Sequence, residues 1–340
     1  MHVCNLILMK RQKFHRQYLR KFGFLVTGGA GFIGSNIVDY LLHHGAGKVR
    51  VLDNFSTGSI DNVADYLHLP EFELIEGDIR DIKSCRLAMR GIDYVLHQAA
   101  LGSVPRSIED PITSNEVNVS GFLNVLEAAK EARVKKMVYA ASSSTYGDHP
   151  GLPKVEHKIG QPLSPYAVTK YTNELYAQVY SGIYGFHTIG LRYFNVFGPR
   201  QNPKGPYAAV IPLFIEAALK GQPPYINGDG KTSRDFTYVE NAVQANIRSL
   251  FAPGITQHEV LNVAVGESTN LNQLWKAIAE ITGTRITPAY RAERKGDVRH
   301  SLADIKKAKK LIGYDPQIPF RRGIEMTVAW YKHAYSGAVL

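Results

Sequence analysis

A tyrosine and a lysine one helical turn apart, Tyr166 and Lys170, are the side chains of this sequence best suited to acid–base chemistry. On a helix this spacing places the phenol and the ammonium on one face. A nearby ammonium, like the positive charge of a nicotinamide, lowers the pKa of a phenol from about 10, so Tyr166 could act as a base near neutral pH. The pair predicts removal of a proton from an alcohol that becomes a ketone, with hydride passing to a nicotinamide.

Three consecutive serines, Ser142, Ser143 and Ser144, come directly after a predicted strand. Ligands of doubly wound sheets bind outside the carboxyl ends of the strands, which is where we expect these hydroxyl groups. A serine hydroxyl can hold a substrate oxygen and relay its proton. We therefore predict that the serines share one site with Tyr166 and Lys170.

A glycine-rich run, GGAGFIG at residues 28–34, follows a predicted strand and opens a predicted helix. Gly28 and Gly31 let the backbone turn tightly and approach a pyrophosphate, which then meets the amides and positive dipole of the helix N-terminus. Glycine at position 34 lets the helix pack closely on the strand. The run alone also fits a simple tight turn, so its meaning depends on the strands that follow.

Two aspartates end the second and third predicted strands. Asp53 lies roughly twenty residues after the glycine run, where an acidic side chain binds the ribose hydroxyls of adenosine and repels a 2′-phosphate. Asp78 lies where an aspartate meets the adenine edge, although a strand-terminal aspartate can equally cap a helix. Together with the glycine run, these residues predict NAD rather than NADP as cofactor.

Short apolar runs alternate with amphipathic stretches after residue 21, which is typical of a parallel sheet covered by helices. The fold class predicted is α/β, a doubly wound parallel sheet (Rossmann fold) with a smaller α/β substrate-binding lobe. We predict strands at residues 22–27, 49–53, 73–77, 94–98, 136–141 and 188–193, a return strand at 260–265, and helices at 32–44, 112–132 and 165–184. The predicted domains are a basic N-terminal extension (1–20), an NAD-binding domain (21–194 plus about 236–266) and a smaller lobe (about 195–235 plus 267–340).

The chain has 340 residues and a formal charge of +10, and six of the positive charges lie between Lys10 and Lys21. This cluster indicates either an anionic partner or a solvated leader helix that binds nothing, and we favour the second. The other basic residues are dispersed, so no nucleic-acid partner is expected, and no apolar run is long enough to span a membrane. Two distant cysteines, Cys4 and Cys85, argue against disulfides and structural zinc, and no metal site is predicted. A reducing, cytoplasmic location is therefore expected.

Over residues 22–330 the sequence resembles the extended short-chain dehydrogenase/reductases, and within them the UDP-hexose 4-epimerases. It is most similar to the subgroup acting on UDP-N-acetylglucosamine, UDP-N-acetylgalactosamine or their uronic acids. Beyond the glycine run, Asp53 and the tyrosine–lysine pair, the resemblance is carried by HQAALGSVPRS (97–107), SSSTYGDHP (142–150), RYFNVFG (192–198), YINGDG (225–230), RDF (234–236) and GDVRHS (296–301).

The resemblance implies a role for many individual residues. The catalytic residues would be Ser142, Tyr166 and Lys170. The residues that would bind NAD are Gly28, Gly31, Phe32, Ile33, Asp53, Asn54, Ser56, Gly58, Asp78, Ile79, Gln98, Ala99, Ala100, Asn118, Tyr166, Lys170 and Tyr193. The residues that would bind the UDP-sugar are Gly102, Ser103, Ser142, Ser143, Ser144, Asn195, Ala209, Val210, Tyr225, Asn227, Arg234, Arg294, Asp297 and Ser301, with the two arginines on the diphosphate and Asp297 on a ribose.

The reaction implied is 4-epimerisation through a 4-keto intermediate, because the features of related reactions are missing. Sugar-nucleotide 4,6-dehydratases carry an Asp-Glu pair after the catalytic hydroxyl, where this sequence has Ser143 and Ser144. Decarboxylating relatives usually carry a glutamate where this sequence has Thr145. What remains is oxidation at carbon 4 and return of the hydride to the other face.

The expected substrate carries an N-acetyl group, because Ser301 matches the position whose bulk excludes acetamido sugars from strict galactose epimerases. The alternative hypothesis is 4-epimerisation of UDP-glucose or UDP-glucuronate. A third hypothesis is that the protein is a non-catalytic NAD-sensing module. Arg106 could meet a uronate or only a phosphate, so the oxidation state of carbon 6 stays open. The resemblance also implies a homodimer formed through two helices of each subunit, and a role in supplying surface polysaccharides.

Overall fold

A computed structural model describes residues 12–204, 208–293 and 298–337 of the chain. Arg294 and Asp297 lie outside the described residues, as do residues 1–11. The strands are β1 (Gly23–Thr27), β2 (Lys48–Asp53), β3 (Phe72–Glu76), β4 (Tyr94–His97), β5 (Lys136–Ser142), β6 (Thr188–Tyr193), β7 (Val196–Phe197), β8 (Tyr225–Asn227), β9 (Ser233–Arg234), β10 (Thr237–Tyr238), β11 (Glu259–Val263), β12 (Thr269–Asn270) and β13 (Ala289–Arg291).

Seven of these strands form one parallel sheet in the order β11-β6-β5-β4-β1-β2-β3. This confirms the predicted doubly wound sheet, including the return strand, which pairs with β6. From β1 the chain moves outward to β2 and β3, and then crosses back to β4 on the other side of β1. A crevice therefore opens at the carboxyl ends of β1 and β4, the usual ligand site of such sheets.

Helices cover both faces of the sheet and build the remaining part of the molecule. They are α1 (Phe32–His43), α2 (Ile82–Met89), α3 (Val104–Glu109), α4 (Pro111–Asn115), α5 (Gly121–Glu131), α6 (Pro165–Tyr184), α7 (Val210–Leu219), α8 (Val239–Phe251), α9 (Leu271–Thr282), α10 (Lys306–Ile312) and α11 (Phe320–Gly337). The predicted helix at 165–184 has the bounds of α6, and the one at 32–44 matches α1 within one residue.

The predicted helix at 112–132 is interrupted, because a π-helical turn, Glu116–Ser120, separates α4 from α5. Asn118 lies in this turn and its side chain bonds both backbone groups of Leu101, with the amide N–H at 2.8 Å and the carbonyl at 3.1 Å. Single π-helical turns of this kind are frequent at functional sites. The interruption ties the helix to the loop that follows β4.

Alternating side chains of the strands divide the core between the two faces of the sheet. On β1, Phe24 and Val26 pack under α1 and α8, whereas Leu25 packs under α2 and α5. A third apolar cluster, which includes Phe214, Trp275, Ile324 and Val328, lies between α7, α9 and α11. This cluster draws on both segments assigned to the smaller lobe, and the domain limits stay a prediction.

The N-terminal extension is not a solvated helix over the residues that the structure describes, so that expectation is wrong there. Residues 12–18 form no helix, and Phe14 and His15 are buried. The Phe14 amide donates to the Tyr40 hydroxyl at 2.7 Å, and His15 Nδ1 lies 2.8 Å from the same oxygen. The segment stays on the α1 surface because two rings are removed from water there.

The described residues bear on two expected absences, that of a membrane span and that of a metal site. No helix there is long and apolar enough to cross a membrane. No group of three or more histidine, cysteine, aspartate or glutamate side chains there could hold a metal ion, and Cys85 is buried with a free thiol.

Candidate active site

A cleft of about 540 Å³ opens at the carboxyl ends of the sheet strands. It brings together many of the residues predicted to bind cofactor or substrate: Gly28, Gly31, Phe32, Ile33, Asp53, Asn54, Ser56, Asp78, Ile79, Gln98, Ala99, Ala100, Gly102, Ser103, Ser142, Ser143, Tyr166, Lys170, Tyr193, Asn195 and Ala209. The cleft runs from the glycine loop past the serines to the segment after β6. A single cavity thus joins the predicted cofactor and substrate residues.

The glycine loop has a shape that side chains would block. Gly28 has a φ of +67°, and a Cβ atom there would lie 2.6 Å from the Ala99 amide nitrogen. A Cβ atom at Gly34 would overlap the Gly28 carbonyl oxygen, so the first turn of α1 packs directly on the loop. Gly31 caps α1, whose first amides have no partner within the helix. The loop therefore forms a cradle of backbone donors that fits a pyrophosphate.

Asp53 is tied to the glycine loop from the end of β2. Its Oδ2 atom accepts the Ala30 amide at 2.9 Å, and its Oδ1 atom accepts the Phe55 amide at 2.9 Å. Burial raises the pKa of this carboxyl, and these backbone donors oppose the rise. Gly58 supports the same loop, since a Cβ atom there would lie 2.8 Å from the Ala30 carbonyl carbon. The carboxylate can meet ribose hydroxyls beside the cradle, which fits NAD.

Asp78 lines the cleft but already has two protein partners. Arg80 Nη2 donates to Asp78 Oδ2 at 2.7 Å, and Asn54 Nδ2 donates to the same oxygen at 2.9 Å. The Arg80 guanidinium holds the pKa of this carboxyl below its usual range. Asp78 and Asn54 are therefore fixed against each other at the adenosine end of the cleft. Arg80 was not singled out from the sequence, although its spacing of two residues from Asp78 suits such a pair.

The predicted catalytic group assembles where β5 ends and α6 begins. Ser142 lies beside the Tyr166 hydroxyl and opposes the rise in its pKa, and Ser144 Oγ donates to Ser142 Oγ at 2.8 Å. Lys170 Nζ donates to the Ala140 carbonyl at 2.9 Å and lies 5.9 Å from the centre of the Tyr166 ring. The structure thus brings a serine, a phenol and an ammonium to one wall of the cleft.

The electrostatics of this group differ from the expectation. Burial raises the pKa of Tyr166, and the hydrogen bond from Ser142 opposes that rise. Burial also lowers the pKa of Lys170 to about 8. The Lys170 ammonium donates to the Ala140 carbonyl, and burial is the dominant influence on the pKa of the phenol in the protein alone. A cation bound beside Tyr166, such as a nicotinamide ring, would favour the ionised phenol.

Two cleft residues other than glycine have a left-handed backbone. Ser103 has a φ of +127° and Asn195 a φ of +37°. Ser103 also caps α3, since its Oγ accepts the Arg106 amide at 3.3 Å. Positive φ values cost energy in residues that carry a Cβ atom, and they cluster at ligand sites. These positions support a functional role for the part of the cleft beyond the serines.

Several predicted site residues do not line the cleft within the described ranges. Val210 begins α7, Ser144 points back at Ser142, and Asn118 braces Leu101. The others lie on or beside the short strands β8 and β9, and are Tyr225, Asn227, Arg234 and Ser301. Their roles, and those of Gly58, Arg294 and Asp297, stay predictions.

Some residues that line the cleft were missed: Leu52, Thr57, Gly77, Val117, Ala140, Ala141, Val196 and Gln201. Most are direct neighbours of predicted residues at strand ends, so the position of a strand end was the available signal. Gln201 had no such signal. It follows a stretch without regular structure, and only the folded chain brings it to the cleft.

The model of the NAD dependent epimerase/dehydratase family matches residues 24–264, which includes the glycine loop, the serines and the tyrosine–lysine pair. The chain belongs to this family. The predicted resemblance and the predicted cofactor, NAD, are thereby confirmed, and the protein is an enzyme of the NAD-dependent epimerase/dehydratase type. The residue roles at the site rest on the geometry above.

The UDP-glucose 4-epimerase of Mycolicibacterium smegmatis is 38% identical over 311 residues, covering 91% of this chain and 98% of that protein. This chain is also similar to the structure of a UDP-N-acetylglucosamine 4-epimerase from Methanobrevibacter ruminantium in complex with UDP-N-acetylmuramic acid. The two sequences are 40% identical and the TM-score is 0.87, covering 92% of this chain and 99% of that one. A UDP-glucose 4-epimerase of Thermus thermophilus in complex with NAD is 38% identical with a TM-score of 0.82 and the same coverage.

Proposed function

We propose that this enzyme interconverts the two configurations at carbon 4 of a UDP-hexose, with UDP-N-acetylglucosamine as preferred substrate. The observation that carries the proposal is the meeting of Ser142, Tyr166 and Lys170 on the wall of a cleft that fits NAD. The relatives described above, from three organisms, are 4-epimerases of UDP-sugars. Both kinds of support point to the same reaction.

The chain's own residues would supply binding and proton transfer. NAD, when bound, accepts hydride from carbon 4 and returns it. Ser142 would hold the oxygen on carbon 4, and Tyr166 would take its proton and give it back. Ser144 orients Ser142, because its hydroxyl donates to the Ser142 oxygen at 2.8 Å and leaves the Ser142 proton free to point at Tyr166 or substrate. Lys170 presents its ammonium to the same cleft.

The neighbours of Ser142 favour epimerisation over elimination or decarboxylation. Loss of water needs an acid and a base beside the sugar. Ser143 and Ser144 carry neutral hydroxyl groups, which form hydrogen bonds but do not ionise near neutral pH. Thr145 is fully buried. None of the three can serve as a carboxylic acid or a carboxylate. The ketone formed at carbon 4 would then be reduced again.

The sugar preference is a proposal that rests on Ser301. This residue is half-buried, and its amide donates to the Ser233 carbonyl at 3.1 Å, beside Arg234. A serine side chain leaves room for an acetamido group where a larger side chain would not. UDP-glucose is the second candidate, because two of the relatives above act on it by name.

We also propose that the enzyme forms a homodimer through α6. One face of this helix exposes the apolar side chains Val168, Leu175, Tyr176, Val179 and Ile183, and Ile183 is 69% exposed. Contiguous apolar surface of this kind marks an interaction site, and a two-fold pairing of identical faces is the commonest arrangement. Light scattering should give twice the chain mass, and Val179→Asp should give the monomer.

The direct test is a comparison of UDP-N-acetylglucosamine, its uronic acid and UDP-glucose as substrates, with the product sugars resolved by chromatography. We expect conversion of UDP-N-acetylglucosamine to UDP-N-acetylgalactosamine at the highest kcat/KM. Faster conversion of UDP-glucose would favour the second candidate. Absence of interconversion for all three would contradict the enzyme assignment and favour a non-catalytic NAD-sensing module.

A further inference from the structure

Three side chains form a closed ring of hydrogen bonds at the cleft, and one of them, Asn246 of α8, has no role in the account above. Asn246 Nδ2 donates to the Tyr193 hydroxyl at 2.7 Å, and that hydroxyl donates to Gln98 Oε1 at 3.1 Å. Gln98 Nε2 closes the ring by donating to Asn246 Oδ1 at 3.1 Å. We propose that Asn246 is a positioning residue that fixes Gln98 and Tyr193 for NAD.

The ring and a neighbouring carbonyl together fix the orientation of both amide groups. Turning one amide by 180° would set two oxygens or two NH2 groups against each other, and turning both would place Asn246 Oδ1 against the Ala242 carbonyl. Burial raises the pKa of Tyr193, so its hydroxyl keeps the proton that it donates. Asn246 is held further because Nδ2 also donates to the Ala242 carbonyl at 2.8 Å. The ring therefore specifies a single orientation of both cleft residues.

Asn246 acts from behind the cleft rather than inside it. Gln98 and Tyr193 line the cleft, whereas Asn246 is fully buried in the helix that covers the sheet. Gln98 follows β4 and Tyr193 ends β6, two strands separated by β5. Gln98 and Tyr193 bond each other directly, and Asn246 joins both strand ends to α8. This placement gives the residue influence on the cofactor without contact to it.

Loss of Asn246 would affect the cofactor through these two residues. Gln98 and Tyr193 would keep polar atoms at a partly buried wall without their partner, and such atoms cost free energy or adopt other orientations. Gln98 is also the direct neighbour of Ala99, whose amide lies against Gly28. The inference depends on NAD as cofactor and not on the sugar, so failure of the substrate proposal would leave it standing.

The test uses the holoenzyme and two variants of Asn246. Asn246→Asp keeps the shape and removes the donor, and Asn246→Ser removes the reach of the side chain. Bound NAD is released by dilution and trapped by an NAD-consuming dehydrogenase, which gives the dissociation rate. We expect release about tenfold faster in both variants, the size expected from one lost buried hydrogen-bonded group.

Asn241 of the same helix is a matched control. It is equally buried, and its Oδ1 atom accepts the amides of Gln317 at 3.0 Å and Ile318 at 3.1 Å, away from the cleft. Asn241→Asp and Asn241→Ser should lower the melting temperature and leave NAD release within about twofold of wild type. Equal acceleration in the Asn241 and Asn246 variants would overturn the proposal, because it would show a purely structural effect.

Tyr193→Phe removes the central hydroxyl of the ring and retains the aromatic body. It should accelerate NAD release to a similar degree, and Asn246→Ser added to it should accelerate release by less than about twofold more, because the two residues act through one ring. Wild-type release in the Asn246 variants would contradict the proposal. If those variants do not fold, unchanged release in Tyr193→Phe would contradict it instead.

Discussion

The two sides of the cleft are built from different kinds of structure. The cofactor side lies at the ends of β1, β2 and β4, whose pairing registers run over four or five residues of a buried sheet. The predicted sugar side rests on β8, β9 and the segment around Ser301, where strands have two or three residues. A parallel sheet holds its strand ends in a fixed register, so the residues of the cofactor side follow from where each strand ends. The sugar side takes its shape from contacts between distant segments.

The first prediction has the largest expected effect and separates chemistry from cofactor binding. Tyr166→Phe should lower kcat for epimerisation by at least about 100-fold, because the group that exchanges the proton is removed. Bound NAD and the melting temperature should stay close to wild type, since the ring packing is retained. Loss of epimerase activity with a full content of NAD would show that Tyr166 serves the reaction and not cofactor binding. Activity within about tenfold of wild type would contradict the role of Tyr166.

A second prediction breaks the cofactor side alone. Gly34→Ala should strongly reduce NAD content, because a Cβ atom there overlaps the Gly28 carbonyl oxygen and shifts the loop. Gly182→Ala is the control for NAD content, since Gly182 is also helical and has no atoms of the glycine loop near its Cβ position. That control should retain NAD. The NAD content of both variants is measured by absorbance after denaturation. A Gly34→Ala protein with a full content of NAD would contradict the close packing of α1 on the loop.

The third prediction concerns the sugar side. Ser301→Tyr should reduce kcat/KM for UDP-N-acetylglucosamine by about tenfold or more relative to UDP-glucose, because the larger side chain fills space for the acetamido group. NAD content should not change, since Ser301 lies away from the glycine loop. The comparison of kcat/KM for both substrates is the measurement. An unchanged ratio would remove Ser301 from the account.

The last prediction concerns stability rather than activity, and is a pH dependence at Asp235, which ties the sugar side together. Its Oδ1 atom accepts the Val265 amide at 3.1 Å, and its Oδ2 atom accepts the amides of Gly266 at 3.1 Å and Ala303 at 3.3 Å. Burial raises the pKa of this carboxyl to about 6. Because the folded-state pKa lies above the unfolded value of about 3.9, the stability from its protonated form is present at low pH and lost as pH rises from about 4 to 6.

This loss is measured as a difference in the free energy of unfolding between wild type and Asp235→Asn. As pH rises from about 4 to 6, the free energy of unfolding of Asp235→Asn should increase relative to wild type by up to roughly 3 kcal/mol. Above pH 7 the difference should be constant. Other carboxylates cancel in the comparison. A pH-independent difference would show that Asp235 titrates at its ordinary pKa.

The sequence was most informative where local pattern determines structure. The alternation of strands and helices predicted the sheet, and residues at strand ends, such as Asp53 and Ser142, follow from counting to the end of each strand. The glycine run predicted a close approach of backbone that Gly28 and Gly34 show. These features depend on neighbours in the sequence, which is why they could be read without a structure.

The remaining features depend on distant contacts. The π-helical turn at Glu116–Ser120 arises where Asn118 bonds Leu101, and nothing in the local helical pattern reveals it. The N-terminal extension is held by Tyr40, which lies more than twenty residues away. The packing of α6 on β5 places the Lys170 ammonium on the Ala140 carbonyl, a contact that its helical spacing from Tyr166 does not reveal.

The central claim is that hydride leaves carbon 4 of the sugar and returns to the other face within one site. The most direct measurement supplies UDP-N-acetylglucosamine with deuterium at carbon 4 and determines the isotope and configuration of the product by NMR. We expect UDP-N-acetylgalactosamine that retains deuterium at carbon 4, with no exchange with solvent. Loss of the label, a 4-keto-6-deoxy product, or no conversion of any UDP-hexose would contradict it.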